Sequence, residues 1–311
     1  MKNFIVTGGL GFIGSNLIDL LISKNYYVIN VDKITYSSNF YNTQEYKNSK
    51  KYKFIKCDIG EKKFKKILFK YKPIGIFNLA AETHVDRSID NPKNFIKSNF
   101  VDVFNLLECF REYSKKIKSK LIHISTDEVY GDILSGRTSE TYPYKPSSPY
   151  AATKAGAELI AQSYNHSFKM PIIITRGNNV YGPNQYPEKL IPKFIKQLKE
   201  GKQVTIQGYG SSLRAFLHVD DVSSAFETLL NKGVIGEIYN IGCDDRMEYS
   251  VMDVAKILIN KIHETDDYDK WITYIEDRPF NDKRYYISNV KLKKLGWKIT
   301  INFMDGINSL I

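Results

Sequence analysis

The chain has 311 residues, 42% of them hydrophobic and 25% charged, with a formal net charge of +11. This is the composition of an ordinary soluble globular protein, and no apolar run reaches the roughly 18 residues that a membrane-spanning helix needs. The basic residues are spread along the chain rather than clustered, so they are expected to form a solvated surface and not a nucleic-acid footprint.

The three cysteines, Cys57, Cys109 and Cys243, are far apart and show no CxxC spacing. A disulfide framework and a metal site are therefore not expected, and a reducing, cytoplasmic compartment is.

Six apolar runs, at 4–7, 27–31, 53–57, 75–79, 121–125 and 172–175, have the look of buried parallel strands. Helical patterns lie between them at 11–24, 61–71, 94–116 and 149–168. The alternation predicts an α/β fold, a Rossmann-type doubly wound parallel sheet over residues 1–176. Beyond Arg176 the Gly, Pro and Asn punctuation thickens, with helices expected at 190–200, 219–230 and 251–263. Residues 177–311 are expected to form mainly a smaller C-terminal substrate-binding region, with some segments returning to the sheet.

The first strand runs into Gly8-Gly9-Leu10-Gly11-Phe12-Ile13-Gly14. Glycines at 8 and 11 let the backbone turn tightly against a pyrophosphate, and Gly14 lets helix and strand approach. The helix N-terminus then offers N–H groups and partial positive charge to the phosphates. Asp32 ends the second strand, 18 positions after Gly14. A carboxylate there accepts from both ribose hydroxyls and repels a 2′-phosphate, which favours NAD over NADP, although Lys33 weakens that exclusion. Asp58 closes the third strand, followed by Ile59; Asp58 serves either the adenine edge or a helix N-cap. Ala80 and Ala81 end the fourth strand and leave room for the dinucleotide.

The fifth strand ends in Ser125-Thr126-Asp127-Glu128-Val129-Tyr130-Gly131. Ligands of open α/β sheets bind beyond the carboxyl ends of the strands. Thr126 can hold a substrate hydroxyl there, and paired carboxyls in different environments divide acid and base roles. Tyr150 and Lys154 follow at helical spacing on one face. The ammonium is expected to lower the phenol from about 10 and make it a base. Tyr46 with Lys50 and Tyr52 with Lys56 repeat the spacing, but neither opens a long helical segment after a strand.

The TGGxGFIG start, NLAAETHVDRS at 78–88, STDEVYG and YxxxK resemble the extended short-chain dehydrogenase/reductases, and among them the nucleoside-diphospho-glucose 4,6-dehydratases. The resemblance covers nearly the whole chain. It implies NAD as cofactor and UDP-glucose or dTDP-glucose as substrate. It implies oxidation at C4, loss of water across C5–C6 and return of the hydride to C6. Thr126, Asp127, Glu128, Tyr150 and Lys154 are the implied catalytic residues. Asp127 sets the chain apart from related 4-epimerases, which generally lack the acidic pair, and from UDP-glucuronate decarboxylases, which resemble STSEVYG. Those reactions, and a non-catalytic NAD-binding protein, are the alternatives.

RGNNVYGPNQYPEKLIPKF at 176–194 and DRPFNDKRYY at 277–286 resemble the UDP-glucose enzymes of plant rhamnose synthesis. Arg214 and Arg278 suit a diphosphate bidentately or are surface ion-pair partners. Asn179 is a further donor. Lys189, Leu190 and Gln207 fall in stretches similar to the family's nucleotide contacts, and His84 and Asp86 serve the hexose or the loop. The resemblance also implies a homodimer built on the helices at 94–116 and 149–168.

Overall fold

The computed structural model describes residues 1–276 and 283–311. In chain order the strands are β1 (Asn3–Thr7), β2 (Tyr27–Asp32), β3 (Tyr52–Lys56), β4 (Gly75–Asn78), β5 (Lys120–Thr126), β6 (Ile172–Gly177), β7 (Asn179–Tyr181), β8 (Val204–Gln207), β9 (Leu213–His218), β10 (Ile238–Ile241), β11 (Glu248–Ser250), β12 (Ile272–Ile275) and β13 (Arg284–Tyr285). Seven of them make one parallel sheet in the order β3-β2-β1-β4-β5-β6-β10. The order reverses at β1 and β4, which is where a doubly wound sheet opens its crevice.

Alternation along each strand feeds both faces. Phe4 and Val6 join a core with Leu17, Leu21, Phe226 and Leu229, from the helices Phe12–Ser23 and Val219–Lys232. Ile5 points the other way, toward Phe64, Leu106, Phe110 and Ala161, from the helices Lys62–Tyr71, Asp102–Ser114 and Pro149–Phe168. Burial on both faces is why these strands read as continuous apolar runs. A third core joins the helices Leu190–Lys199 and Val251–His263 to β8, with Phe303 and Ile307.

All six expected strands of the large sheet are present. The seventh, β10, was not foreseen, and together with helix Val219–Lys232 it brings later sequence back to the large sheet. The helix expected across 94–116 is interrupted. It comprises Pro92–Ile96, a π-helical turn at Lys97–Val101, and Asp102–Ser114. The wide turn lets Asn99 bond both ways with Glu82, accepting from its N–H at 2.8 Å and donating to its carbonyl at 2.9 Å. The three cysteines are free. Among the described residues no helix is long and apolar enough to cross a membrane, and no cluster of His, Cys, Asp and Glu could hold a metal.

A fully buried ion pair ties the long helix to β6. Arg176, 1% exposed, donates Nη2–H to Glu158 Oε2 at 2.7 Å and Nε–H to the same oxygen at 2.9 Å. Its guanidinium stacks on Tyr130 and Tyr144. Glu158→Ala leaves that cation uncompensated and is expected to cost about 3–5 kcal/mol. Denaturant titration at fixed slope measures it, and a loss under about 1 kcal/mol would contradict the role given to the pair.

Candidate active site

The first turn is built for close approach. Gly8 has φ +69°, and a Cβ there would lie 2.9 Å from the Ala80 nitrogen. A Cβ on Gly14 would lie 2.4 Å from the Gly8 carbonyl oxygen. Helix Phe12–Ser23 begins with Gly11 as N-cap, without a side-chain cap and with no acidic residue in its first turn. Its leading N–H groups are left for an anion. Gly8, Gly11, Phe12, Ile13 and Gly14 line one wall of a cleft of about 330 Å³ along the carboxyl ends of the sheet.

The same cleft is lined by Asp32, Asp58, Ile59, Ala80 and Ala81. Asp32 is held by the Leu10 and Ile34 N–H groups and the Ser38 hydroxyl. Lys33 turns away from it. Its ammonium donates to Ser98 Oγ at 2.7 Å and lies 3.7 Å from Asp58 and 3.9 Å from Asp102. Two carboxylates thus offset the charge that the sequence set against an NAD preference. Asp58 accepts from the Gly60 N–H and does not cap the next helix, whose N-cap is Glu61. Burial pushes the Asp58 carboxyl up, but Gly60, Lys33 and Lys97 outweigh it and hold it below its ordinary value. The bare N-terminus, the tight glycines and the carboxylate at the end of β2 fit NAD: Gly8 and Gly11 would hold the diphosphate and Asp32 the ribose, with Gly14 letting the helix pack close.

At the end of β5 the chain closes a short turn, Asp127–Tyr130, with Thr126 as N-cap. Thr126 Oγ1 accepts from the Glu128 N–H at 3.3 Å. The same hydroxyl lies 3.3 Å from Asp127 Oδ1, to which it can donate, and also hydrogen-bonds the Tyr150 phenol. Thr126, Asp127, Glu128, Tyr150 and Lys154 all line the cleft. Asp127 is 3% exposed. Burial pushes its carboxyl up to about 6, against hydrogen bonds from Asn178 and Thr126 and the Arg214 charge.

One expectation is corrected. The Lys154 ammonium donates to the Ile124 carbonyl at 2.6 Å, and it does not lower the Tyr150 phenol. Burial raises Tyr150 well above 10, and the Glu128 and Asp127 charges add to that, with only Thr126 opposing. The i, i+4 spacing gave the shared face but not where the lysine head would bond. Burial draws Lys154 itself down to about 8, with Glu158 pulling the other way.

Of the substrate candidates, Asn179 and Lys189 line the cleft. His84, Leu190, Gln207 and Arg214 do not, and Arg278 lies outside the described residues. Lys189 donates to the Thr83 carbonyl at 3.3 Å, and Leu190 packs into the third core. His84 lies 3.8 Å from Glu188; burial, then Lys189, lowers it. Gln207 ends β8, which pairs with β12 in a two-stranded sheet apart from the large one. Arg214 on β9 stacks over Tyr285, yet its charge reaches Asp127. Asn178 and Ser98 are among the cleft residues that were missed. Asn178 is buried and donates to Asp127 Oδ2 at 2.7 Å, and Ser98 holds Lys33. The alternation of β6 into β7 was the available signal for Asn178, since it turns this residue inward and Asn179 outward.

A doubly wound sheet, a glycine turn at β1 and a Tyr–Lys pair opening the helix after β5 define an extended short-chain dehydrogenase/reductase. The chain belongs to the family described as GDP-mannose 4,6 dehydratase, whose model matches residues 5–310. It is 42% identical to a dTDP-D-glucose 4,6-dehydratase of Homo sapiens, over 100% of this chain and 89% of that one. It is 43% identical to a trifunctional UDP-glucose 4,6-dehydratase/UDP-4-keto-6-deoxy-D-glucose 3,5-epimerase/UDP-4-keto-L-rhamnose-reductase of Arabidopsis thaliana, over 98% of this chain and 46% of that one. Among solved structures it resembles a dTDP-glucose 4,6-dehydratase from Bacillus anthracis in complex with NAD. The TM-score is 0.90 at 36% identity, covering 99% of this chain and 94% of that one.

Proposed function

We propose that this chain is an NAD-dependent nucleoside-diphospho-glucose 4,6-dehydratase, with UDP-glucose as its preferred substrate. The observation that carries this is the convergence of Thr126, Asp127, Glu128 and Tyr150 on the cleft that fits the dinucleotide. NAD, when bound, supplies the acceptor for the C4 hydrogen and a positive ring charge that favours the Tyr150 phenolate. Tyr150 takes the O4 proton while Thr126 holds that oxygen. The C4 ketone then acidifies C5, and Glu128 removes the C5 proton. Asp127, whose burial raises its carboxyl to about 6, gives its proton to the departing C6 hydroxyl, and water leaves. Return of the C4 hydride to C6 and of the Glu128 proton to C5 then gives the 4-keto-6-deoxy sugar with no net oxidation. Asn179 and Lys189 serve the nucleotide-sugar diphosphate.

The UDP preference rests on the resemblance of residues 176–194 to the plant enzymes. Turnover with UDP-glucose and dTDP-glucose in parallel, read as the alkali-induced absorbance of a 4-keto sugar, tests it. Faster turnover of UDP-glucose is expected. Faster turnover of dTDP-glucose overturns the preference, and no keto sugar from either overturns the dehydratase.

The chain is also proposed to form a homodimer through the helices Asp102–Ser114 and Pro149–Phe168. Phe104, Leu159 and Phe168 are exposed on them, Leu159 to 53%, and Phe104 and Phe168 both pack edge-on to Tyr164. Exposed apolar residues grouped this way suit a second copy. Sedimentation is expected to give twice the chain mass, and Leu159→Glu the chain mass. A wild-type monomer refutes it.

A further inference from the structure

We propose that Asn178 is the positioning residue of the acid-base pair: its amide, locked by the Cys243 N–H at one end, holds the Asp127 carboxyl at the other and fixes which oxygen is left for the substrate. The proposal rests on the dehydratase function above.

The lock is built from the far end of the chain. Asn289, 1% exposed, donates to the Gly242 carbonyl at 3.0 Å and to Asp244 Oδ1 at 2.8 Å. That seats the turn after β10 so closely that a Cβ on Gly242 would lie 2.4 Å from the Ile287 carbonyl oxygen. The Cys243 N–H in this turn donates to Asn178 Oδ1 at 3.0 Å. The Asn178 N–H reaches the Ile241 carbonyl at 3.2 Å. With its oxygen engaged, Asn178 has only its Nδ2 group left for Asp127 Oδ2, at 2.7 Å. A flipped amide would set oxygen against carboxylate and N–H against N–H, so the partners admit one orientation.

Asp127 Oδ2 is thereby committed, and Oδ1 stays beside the Thr126 hydroxyl, 3.3 Å away. The other charged or titratable groups facing Asp127 are Arg214 from β9, the Cys243 thiol and the Tyr150 phenol, with Glu128 adjacent in its own turn. From outside that turn, Asn178 hydrogen-bonds the carboxyl and holds it in one rotamer. Its donated hydrogen bond also favours the ionised carboxylate, opposing burial. Losing the donor therefore raises the Asp127 proton affinity and frees the side chain to rotate.

Asn178→Ala removes the amide. Asn178→Asp keeps its shape and the bond from Cys243 but replaces the donor with an acceptor. Asp127 is titrated by infrared difference spectroscopy of the purified enzyme, with Asp127→Asn assigning its band, so no turnover is required. Its midpoint is expected to move to higher pH in both variants. Where wild type makes keto sugar, kcat is expected to fall about 10-fold at near-constant KM, with the basic limb of the profile moving up. Retained thermal melting separates this from misfolding. An unshifted Asp127 midpoint in both variants, or an Asn178→Asp enzyme indistinguishable from wild type, overturns the proposal. If wild type makes no keto sugar, the dehydratase function fails while the infrared titration still decides the role of Asn178.

Discussion

Replacing Asp127 and Glu128 together by Asn and Gln is expected to abolish water loss while leaving oxidation at C4 detectable. The two carboxyls are next to each other in sequence but differ in surroundings. Asp127 is buried under Asn178 and Thr126, whereas Glu128 is half-buried at the cleft wall. That difference suits them to opposite proton duties, one giving and one taking. General acid and base groups each contribute about 10²–10⁴ in rate, so the double variant should fall by at least about 10³-fold in 4-keto-6-deoxy product. Product formed at an undiminished rate would refute the assignment.

The same burial has a cost that the variant exposes. Burial raises the Asp127 carboxyl from its ordinary 3.8 to about 6 in the fold. The unfolded chain therefore binds fewer protons between those values, and stability falls as pH rises from about 4 to about 6, then stays reduced. Asp127→Asn escapes that loss. Its melting temperature is expected to exceed that of wild type at pH 8 and to approach it at pH 4, by differential scanning calorimetry. Equal differences at both pH values would mean that the carboxyl is not strained by burial.

Tyr150→Phe is expected to lower kcat by about 10³-fold with KM little changed, because the phenol acts on O4 only in the transition state. Burial and the Glu128 and Asp127 charges hold the phenol protonated in the free protein, so the oxidation step should accelerate as pH rises. Elimination needs Asp127 protonated and should slow as pH rises. Single-turnover measurement of the two steps in wild type should show these opposite slopes, and Tyr150→Phe should lose the rising one. A rising limb retained in the Phe variant would move the base elsewhere.

The glycine turn, six of the seven strands of the large sheet and the polar turn after β5 were legible because each rests on a local rule: strand period, turn chemistry or position at a strand end. Helix Pro149–Phe168 was legible to its ends, with Pro149 opening it and Ser148 capping it. What escaped was set by distance. β10 is four residues long, Ile238–Ile241, and becomes a strand only by pairing with β6. The break at Lys97–Val101 follows from Asn99 reaching Glu82, which no periodicity encodes. Asn179 stands out as a donor by residue type alone, whereas the role of Asn178 comes from its burial against Asp127, to which it donates at 2.7 Å. Gln207 and Arg214 matched in type, yet the fold sets them outside the cleft lining. The Tyr150 pKa went wrong for the same reason: Lys154 found the Ile124 carbonyl.

A substrate carrying deuterium at C4 tests the central claim most directly, that one cleft oxidises C4 and deoxygenates C6 of the same hexose. With UDP-glucose labelled there, or dTDP-glucose if that is turned over faster, the product should be a 4-keto-6-deoxy sugar with the deuterium in its C6 methyl group, by NMR and mass spectrometry. Deuterium still at C4 of a recovered epimer, or a methyl group free of it, would contradict the account.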